Sequence, residues 1–440
     1  MDSYLQIGNC RINRNPLHTS KKEFMKVAII STYETHGGGS IAAKRLSIAL
    51  NKTSEVDAKL LVNTAQTKDP QVIEVADTKR KQRMRKLRFI LERILFIPYE
   101  LSKKERYSFS TAYFGTDISK HPAVGEADIL HLHWINQGFL SHKNLRQLIE
   151  LGKPIVVTMH DVWYFTGGCH YTRECDHFTG SCGNCILIKH GQPNDVSHKA
   201  WMIKNSMYSD QMKFVACSNW LANLARTSSL LKPEQVSCIP NPIDRSVFNR
   251  RDKMLSRKVF NLPEDKILIL YVAVKVDNER KGYHYLSAAL KTLFESNSPI
   301  KKDIEIVVMG GVDDPSLINF YFPTHFLGRL SNVDSIVSCY NAADLFIAPS
   351  LEDNLPNTIV ESIACGTPVV AFNIGGIPDI IDHKQNGYLA AYKDTSDLIN
   401  GIEWVLAQPD ISEKCLEKAE NTFSEGVVSP QFINLYKSLL

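Results

Sequence analysis

No stretch of this 440-residue chain approaches the run of about eighteen apolar residues that a membrane-crossing helix needs. The opening residues, MDSYLQIGNCRINRNPLHTSKKEF, carry no apolar stretch of the secretory-signal kind, so the chain is expected in the cytosol. Charge of one sign is scarce too. Lys plus Arg (51) exceeds Asp plus Glu (47) by 4, too small a surplus to call for nucleic acid as a partner. With 44% apolar and 22% charged residues, neither collagen-like repetition nor wholesale disorder fits, and no short-period repeat is visible. The length calls for more than one hydrophobic core.

Residues 1–24 are polar and aperiodic, and read as a disordered extension or a misassigned start. From Met25, β-branched runs alternate with helical patterns: KVAIIST (Lys26 to Thr32), KLLVN (Lys59 to Asn63), ADILHLHW (Ala127 to Trp134), PIVVTMH (Pro154 to His160), KFVACS (Lys213 to Ser218) and VSCIPN (Val236 to Asn241). After Phe248 the chain turns polar and basic, and a second series begins. It runs through ILILYVAV (Ile267 to Val274), IEIVVMGG (Ile304 to Gly311), HFLGRL (His325 to Leu330), ADLFIAPS (Ala343 to Ser350) and TPVVAFN (Thr367 to Asn373). Alternation of this kind predicts an α/β fold of two doubly wound, parallel-sheet domains in series, over 25–245 and 246–425, with a helical tail at 426–440. Ligands of such sheets bind beyond the carboxyl ends of the strands, here in the cleft between the domains.

Between Lys79 and Leu95 eight Lys and Arg residues interleave with Met84, Leu87, Leu91, Ile94 and Leu95 at helical spacing. This basic amphipathic helix can lie on an anionic membrane surface, or it can pack its stripe on its own domain and leave a solvated basic face. Three glycines in THGGGSIAAKRL open a helix after the first strand. Exposed amides there suit a phosphate or a sugar hydroxyl, although a glycine-rich turn can also be purely structural. The loop matches neither the dinucleotide fingerprint nor a P-loop. His160-Asp161 and His133 end strands where the cleft is expected, so an imidazole there can orient a hydroxyl or serve only as a hydrogen-bonded structural residue. Asp353 and Glu361 lie eight residues apart, the second expected in the first turn of a helix, where Thr358-x-x-Glu361 also reads as a capping box.

Taken in order, HGGGS, DILHLHW, VVTMHD, ACSNWLA, IPNPIDRSVF, Arg280-Lys281-Gly282, APS, the acidic pair with CGTPVVA, and GGIPDII resemble glycosyltransferase family 4, retaining enzymes of the GT-B fold. TMHDVWYFTGGCHY and DNLPN look more narrowly like its colanic-acid and exopolysaccharide branch. That resemblance implies a C-terminal domain that holds a nucleotide-diphosphate sugar, with Lys281, beside Arg280, and Lys275 neutralising the diphosphate and no metal needed for the chemistry. It also implies catalytic roles for His160 and Lys281, and for Asp353 on the donor-sugar hydroxyls. Glu361 would bind the ribose, and Gly38 and Gly39 would face the diphosphate. The family's glycine-rich loop becomes Asn354-Leu355-Pro356-Asn357-Thr358, in which Asn357 and Thr358 fall at donor-binding positions and Pro356 removes an amide donor. The acceptor expected is a lipid-linked glycan in exopolysaccharide, capsule or O-antigen synthesis, met by a peripheral protein at the inner face of the membrane. A GT-B epimerase or phosphorylase, and a non-catalytic glycan-binding scaffold, are the alternatives.

Ten cysteines are many for a cytosolic chain, and four of them fall in one loop (167–186): Cys169, Cys175, Cys182 and Cys185, spaced C-x5-C-x6-C-x2-C. Such a set can close a structural tetrahedral zinc site, with His170 or His177 as substitutes; reduced free thiols or a disulfide are the other readings. The other six cysteines read as core or surface residues.

Overall fold

The computed structural model describes residues 24–440 apart from 313, 315 and 317, so the extension expected over 1–24 lies outside the described residues up to position 23. Each predicted series becomes one parallel sheet. The first comprises β1 (Met25–Tyr33), β2 (Val56–Thr64), β3 (Val72–Glu74), β4 (Ile129–Leu132), β5 (Ile155–Met159), β6 (Met212–Ala216) and β7 (Val236–Cys238), in the order β3-β2-β1-β4-β5-β6-β7. The second comprises β8 (Ile267–Lys275), β9 (Ile304–Gly311), β10 (Thr324–Gly328), β11 (Leu345–Ala348), β12 (Val369–Phe372) and β13 (Gly387–Ala390), in the order β10-β9-β8-β11-β12-β13. β3 and β13 are short and were not foreseen from their composition. Their strand order reverses beside β1 and β8, and the two switch points put β4 and β11 next to them, which is where doubly wound sheets bind ligands.

Both faces of each sheet are buried, which is why the strands read as unbroken apolar runs rather than alternating ones. In the first domain Ala28, Ile30, Leu130, Leu132, Val157 and Phe214 pack on one face, and Ile29, Leu60, Ile129, Val156 and Val215 on the other. That second face is completed by the end of the chain. Helix Ser412–Phe423 stays on the second domain, but helix Glu425–Lys437 returns to the first, where Val428, Phe432, Ile433 and Tyr436 join its core. The Tyr436 hydroxyl lies 2.6 Å from His131 Nδ1, while His131 Nε2 lies 2.7 Å from Thr158 Oγ1. Burial pushes His131 down to about 3, so this ring is neutral at physiological pH.

The chain therefore passes between the domains twice, and the two passages touch. The Ile243 amide donates to Phe423 O (2.8 Å), Ile243 bridges Ser424, and Lys52 Nζ reaches both Asp244 and Glu425 at 2.6 Å.

The basic helix spans Lys79–Phe96, capped by the Thr78 hydroxyl on the Lys81 amide. Its two sides differ in what they meet. The side turned to the domain is polar: Arg85 Nη1 donates to Asn63 O (2.8 Å) and pairs with Glu74 (3.0 Å), and Arg88 Nη1 donates to Thr116 Oγ1 (2.7 Å). Fully buried Glu92 accepts from Thr111 Oγ1 (2.8 Å) and from the amides of Ala112 (2.7 Å), Tyr113 (3.1 Å) and Phe114 (3.2 Å). Met84, Leu87, Ile90, Ile94 and Leu95 point the other way and are 40–51% exposed. Of the stripe read from the sequence, Met84, Leu87, Ile94 and Leu95 thus face away from the core, while Leu91 is half-buried.

Candidate active site

The site forms where the carboxyl ends of β1 and β5 meet the loops after β8 and β11. β5 delivers His160 one residue past its end, and the glycine-rich helix Gly38–Asn51 starts against that ring. A Cβ on Gly39 would stand 2.9 Å from His160 Cδ2, so only glycine lets the helix start approach this closely. His160 Nε2 lies 2.9 Å from His133 Nδ1, and its Nδ1 lies 3.5 Å from Cys217 Sγ. Burial lowers His160 to about 4 despite the Asp161 charge, so it works as a neutral hydrogen-bonding group. His133, at the end of β4, is thus a neighbour of His160 rather than a second, separate site residue.

Asp161 is held from three directions: Trp134 Nε1 (2.9 Å), His170 Nδ1 (2.7 Å) and the Trp163 amide (2.9 Å). Burial acts to raise its carboxyl, but His170 and these hydrogen bonds bring it below the usual value. The His170 ring is therefore occupied, since its Nε2 lies 2.8 Å from Ser110 Oγ, and it is no substitute ligand for the cysteine cluster.

On the opposite wall, the turn Arg280-Lys281-Gly282 is fixed by Gly282, whose φ is 72° and whose Cβ would fall 1.8 Å from Pro349 O. The turn aims two cations at one carboxylate. Lys281 Nζ lies 2.6 Å and Arg280 Nη1 3.7 Å from Asp353 Oδ2. Burial alone would raise Asp353, but Lys281 and then Arg280 hold it below its usual value. Arg280 also stacks on Tyr171 from the cysteine-rich loop, 4.9 Å from the ring centre, so that loop forms part of this wall. Lys275 ends β8 exposed and pairs with Asp277 (3.5 Å).

The polar loop after β11 closes the gap. Asn357 Nδ2 donates to Gly38 O (3.1 Å), and Asn354 donates to His160 O (3.2 Å) while accepting from Ser218 Oγ (2.5 Å). Helix Asn357–Ala364 begins after Pro356 with no side-chain cap, so the capping-box reading of Thr358 and Glu361 does not hold. Glu361 sits in the second turn, not the first. Its carboxylate takes Arg45 Nη2 from the first domain (2.6 Å) and the Tyr340 hydroxyl (2.9 Å), and Arg45 also stacks over Phe248 at 4.8 Å. His160, Gly38, Gly39, Arg280, Lys281, Asp353, Asn357 and Glu361 are thus drawn to one cleft, while Thr358 makes no cap there. Arg45, Ser218, Tyr171 and Asn354 are cleft residues that motif reading missed; Asn354 was visible only as a departure from the family loop.

A second cleft, of about 540 Å³, lies behind the second domain near Arg250, Arg251, Lys253 and Asp410. Its cations pair with separate carboxylates, Arg250 with Asp410 (2.7 Å), Arg251 with Asp334 (2.9 Å) and Lys253 with Asp344 (2.9 Å), whereas the first cleft aims two cations at one carboxylate.

Residues 37–247 match the model for Glycosyltransferase Family 4, and residues 252–422 that for Glycosyl transferases group 1. By family and fold, the chain is a GT-B glycosyltransferase. It is 24% identical over 352 residues to D-inositol 3-phosphate glycosyltransferase 2 of Catenulispora acidiphila, covering 73% of this chain and 74% of that one. To N-acetyl-alpha-D-glucosaminyl L-malate synthase of Bacillus anthracis it is 22% identical over 231 residues, or 51% of this chain; the match spans 58% of the synthase, less than two thirds of its length. Among solved structures, Anabaena HepE in complex with UDP-glucose superposes with a TM-score of 0.60 at 16% identity, over 94% of this chain and 100% of the other, a likeness of fold. The GT-B chain thus carries its acidic pair, Asp353 and Glu361, already engaged by cations: Lys281 and Arg280 for the first, Arg45 for the second.

Proposed function

We propose that this glycosyltransferase transfers a sugar, with retention, from a nucleotide-diphosphate sugar to a lipid-linked oligosaccharide at the inner face of the cell membrane, in exopolysaccharide, capsule or O-antigen assembly. The observation that carries the donor half is the Arg280–Lys281 pair set opposite Gly38, Gly39 and His160 across a closed cleft. In this reading the diphosphate takes the two cations from Asp353, which turns to the sugar hydroxyls, and the ribose takes Glu361 from Arg45. The bond from the anomeric carbon to the phosphate oxygen breaks as the bond to the acceptor oxygen forms on the same face. The acceptor proton passes to the departing phosphate, so no separate general base is required. A likeness of fold to a protein solved with UDP-glucose supports a nucleotide-sugar donor.

Binding of UDP-, GDP-, ADP- and TDP-sugars by calorimetry tests this. One nucleotide should bind selectively, and Glu361→Ala should weaken it about 10–100-fold, the worth of a charged hydrogen bond. Arg45→Ala, which removes the competitor for that carboxylate, should bind at least as tightly. Folded protein that binds no donor would favour the non-catalytic scaffold instead.

The outward stripe of the basic helix supports the membrane half. Its apolar residues continue into exposed Ile97, Leu101 and Tyr107, and exposed Lys79, Arg80, Lys81, Arg83 and Lys86 surround its first turns. Apolar side chains rimmed by cations suit a bilayer with anionic headgroups, each basic residue adding about 1 kcal/mol near the surface. Because Arg85 ties the helix to Asn63 O near the carboxyl end of β2, a glycan anchored in lipid would lie beside the cleft. Arg80→Glu with Arg83→Glu and Lys86→Glu should abolish sedimentation with anionic vesicles, and Ile94→Asp should weaken it even at low salt. Unchanged binding by both variants would reject this surface as the membrane contact.

A further inference from the structure

Cys169, Cys175, Cys182 and Cys185 line one small cavity with His177 and Phe178. Its volume, about 20 Å³, suits an occupant the size of a single ion or water and nothing larger. All four are free thiols. The turn between the last two is already shaped: Cys182, Gly183 and Asn184 have φ values of 54°, 92° and 47°. It is pinned by the Gly183 amide on Ser197 Oγ (3.0 Å) and the Cys185 amide on Asp195 Oδ2 (2.9 Å). Amides are aimed at the sulfurs as well, Gly167 at Cys182 Sγ (3.2 Å) and Leu187 at Cys185, although burial outweighs them and pushes the Cys169, Cys182 and Cys185 thiols up.

A second observation comes from the other side of the cluster. Lys204 is fully buried; its Nζ sits 3.7 Å above the Trp163 ring and donates to the carbonyls of Trp163 and Thr166, the latter at 2.9 Å. The acidic groups close enough to act on it are Asp161, which is already committed to His170 and Trp134, and the Cys169 and Cys182 thiols; burial lowers Lys204 itself to about 7. Lys204 thus stands where negative charge gathered on the cysteine loop would meet a basic side chain.

We propose that the four cysteines bind one thiophilic divalent ion, zinc foremost, as thiolates, with Lys204 as the buried counter-charge. One ion enters and four thiol protons leave, so the closed centre carries a net charge of −2 that Lys204 half neutralises. The side chains surround the cavity without converging: among the described residues no three His, Cys, Asp or Glu groups stand ready to hold an ion. Ion binding and final closure of the loop are therefore one event. His177 Nδ1 lies 2.8 Å from Gly183 O, and four thiolates alone complete a tetrahedral set. With four thiolates the centre has no open position and is structural. Its reach into the cleft is through the residues between its first two ligands: Tyr171 under Arg280, and the Arg173 amide 3.4 Å from Glu352.

The full chain, purified anaerobically without chelator, should contain one zinc per molecule, and cobalt exchanged into it should give thiolate-to-cobalt charge-transfer absorption. Lys204→Met should weaken metal affinity about 10–100-fold, as loss of an outer-shell partner does. Cys415→Ser, a buried cysteine of the other domain, should leave the stoichiometry at one. If Lys204→Met fails to fold, titrating the wild-type chain with a chelator gives the same answer, with metal release and thiol alkylation rising together. Substoichiometric metal with four freely alkylated thiols, or a disulfide found by mass spectrometry, would overturn the proposal.

Discussion

Lys281→Met is expected to lower kcat about 10²–10³-fold while the chain remains folded. The lysine is held 2.6 Å from Asp353 by a turn that only glycine at 282 permits, so its charge stands in a fixed place before any donor arrives. A preorganised cation aimed at charge that develops on a leaving group costs no reorganisation at the moment of reaction, and removing one such group has an effect of this size. Folding should survive because Asp353 keeps Arg280 at 3.7 Å and Ser350 at 3.4 Å. Steady-state kinetics on the selected donor, with Lys281→Arg alongside, gives the check. The arginine variant should recover part of the rate if charge is what matters; a methionine variant with undiminished kcat would remove Lys281 from the chemistry.

Glu92→Ala should produce the largest stability loss, at least about 3 kcal/mol, felt locally. Four donors, three of them consecutive backbone amides, lose their shared acceptor in a buried place, and each orphaned group costs about 1–3 kcal/mol. A chain of two domains need not unfold in one step, so a single melting temperature is the wrong measure. Limited proteolysis is the right one: cleavage within 79–96 should speed up markedly while the second domain resists as before. Unaltered protection would mean that the helix is held by something other than this carboxylate.

That helix also marks the limit of what the sequence could tell. Spacing showed the stripe of Met84, Leu87, Leu91, Ile94 and Leu95, and no periodicity could say which way it points. The direction is set by contacts of Glu92 and Arg88 with residues 111–116, about twenty to thirty positions away in the chain. The sheets were legible because both of their faces are buried, which leaves β-branched runs at a regular interval; three-residue β3 and four-residue β13 were too short to stand out. Within the cleft, His160 and Lys281 were found because they sit beside strand ends and glycine turns. Arg45 was not, since one arginine in the middle of an ordinary helix carries no local sign of the carboxylate 316 residues away that it meets. The capping box failed for a related reason: Glu361 had better partners in Arg45 and Tyr340 than its own helix terminus.

The double passage between the domains has a consequence for cutting the molecule in two. A fragment ending near residue 248 would contain all seven strands of the first sheet yet leave a face of it bare, because Val428, Phe432, Ile433 and Tyr436 would be on the other piece. Each of these buried side chains is worth about 1.5–3 kcal/mol, so the halves are not autonomous. Supplied together, however, they carry complementary surfaces as well as the paired passages at Ile243 and Ser424, and a split gene should yield fragments that find each other and reassemble into one working molecule.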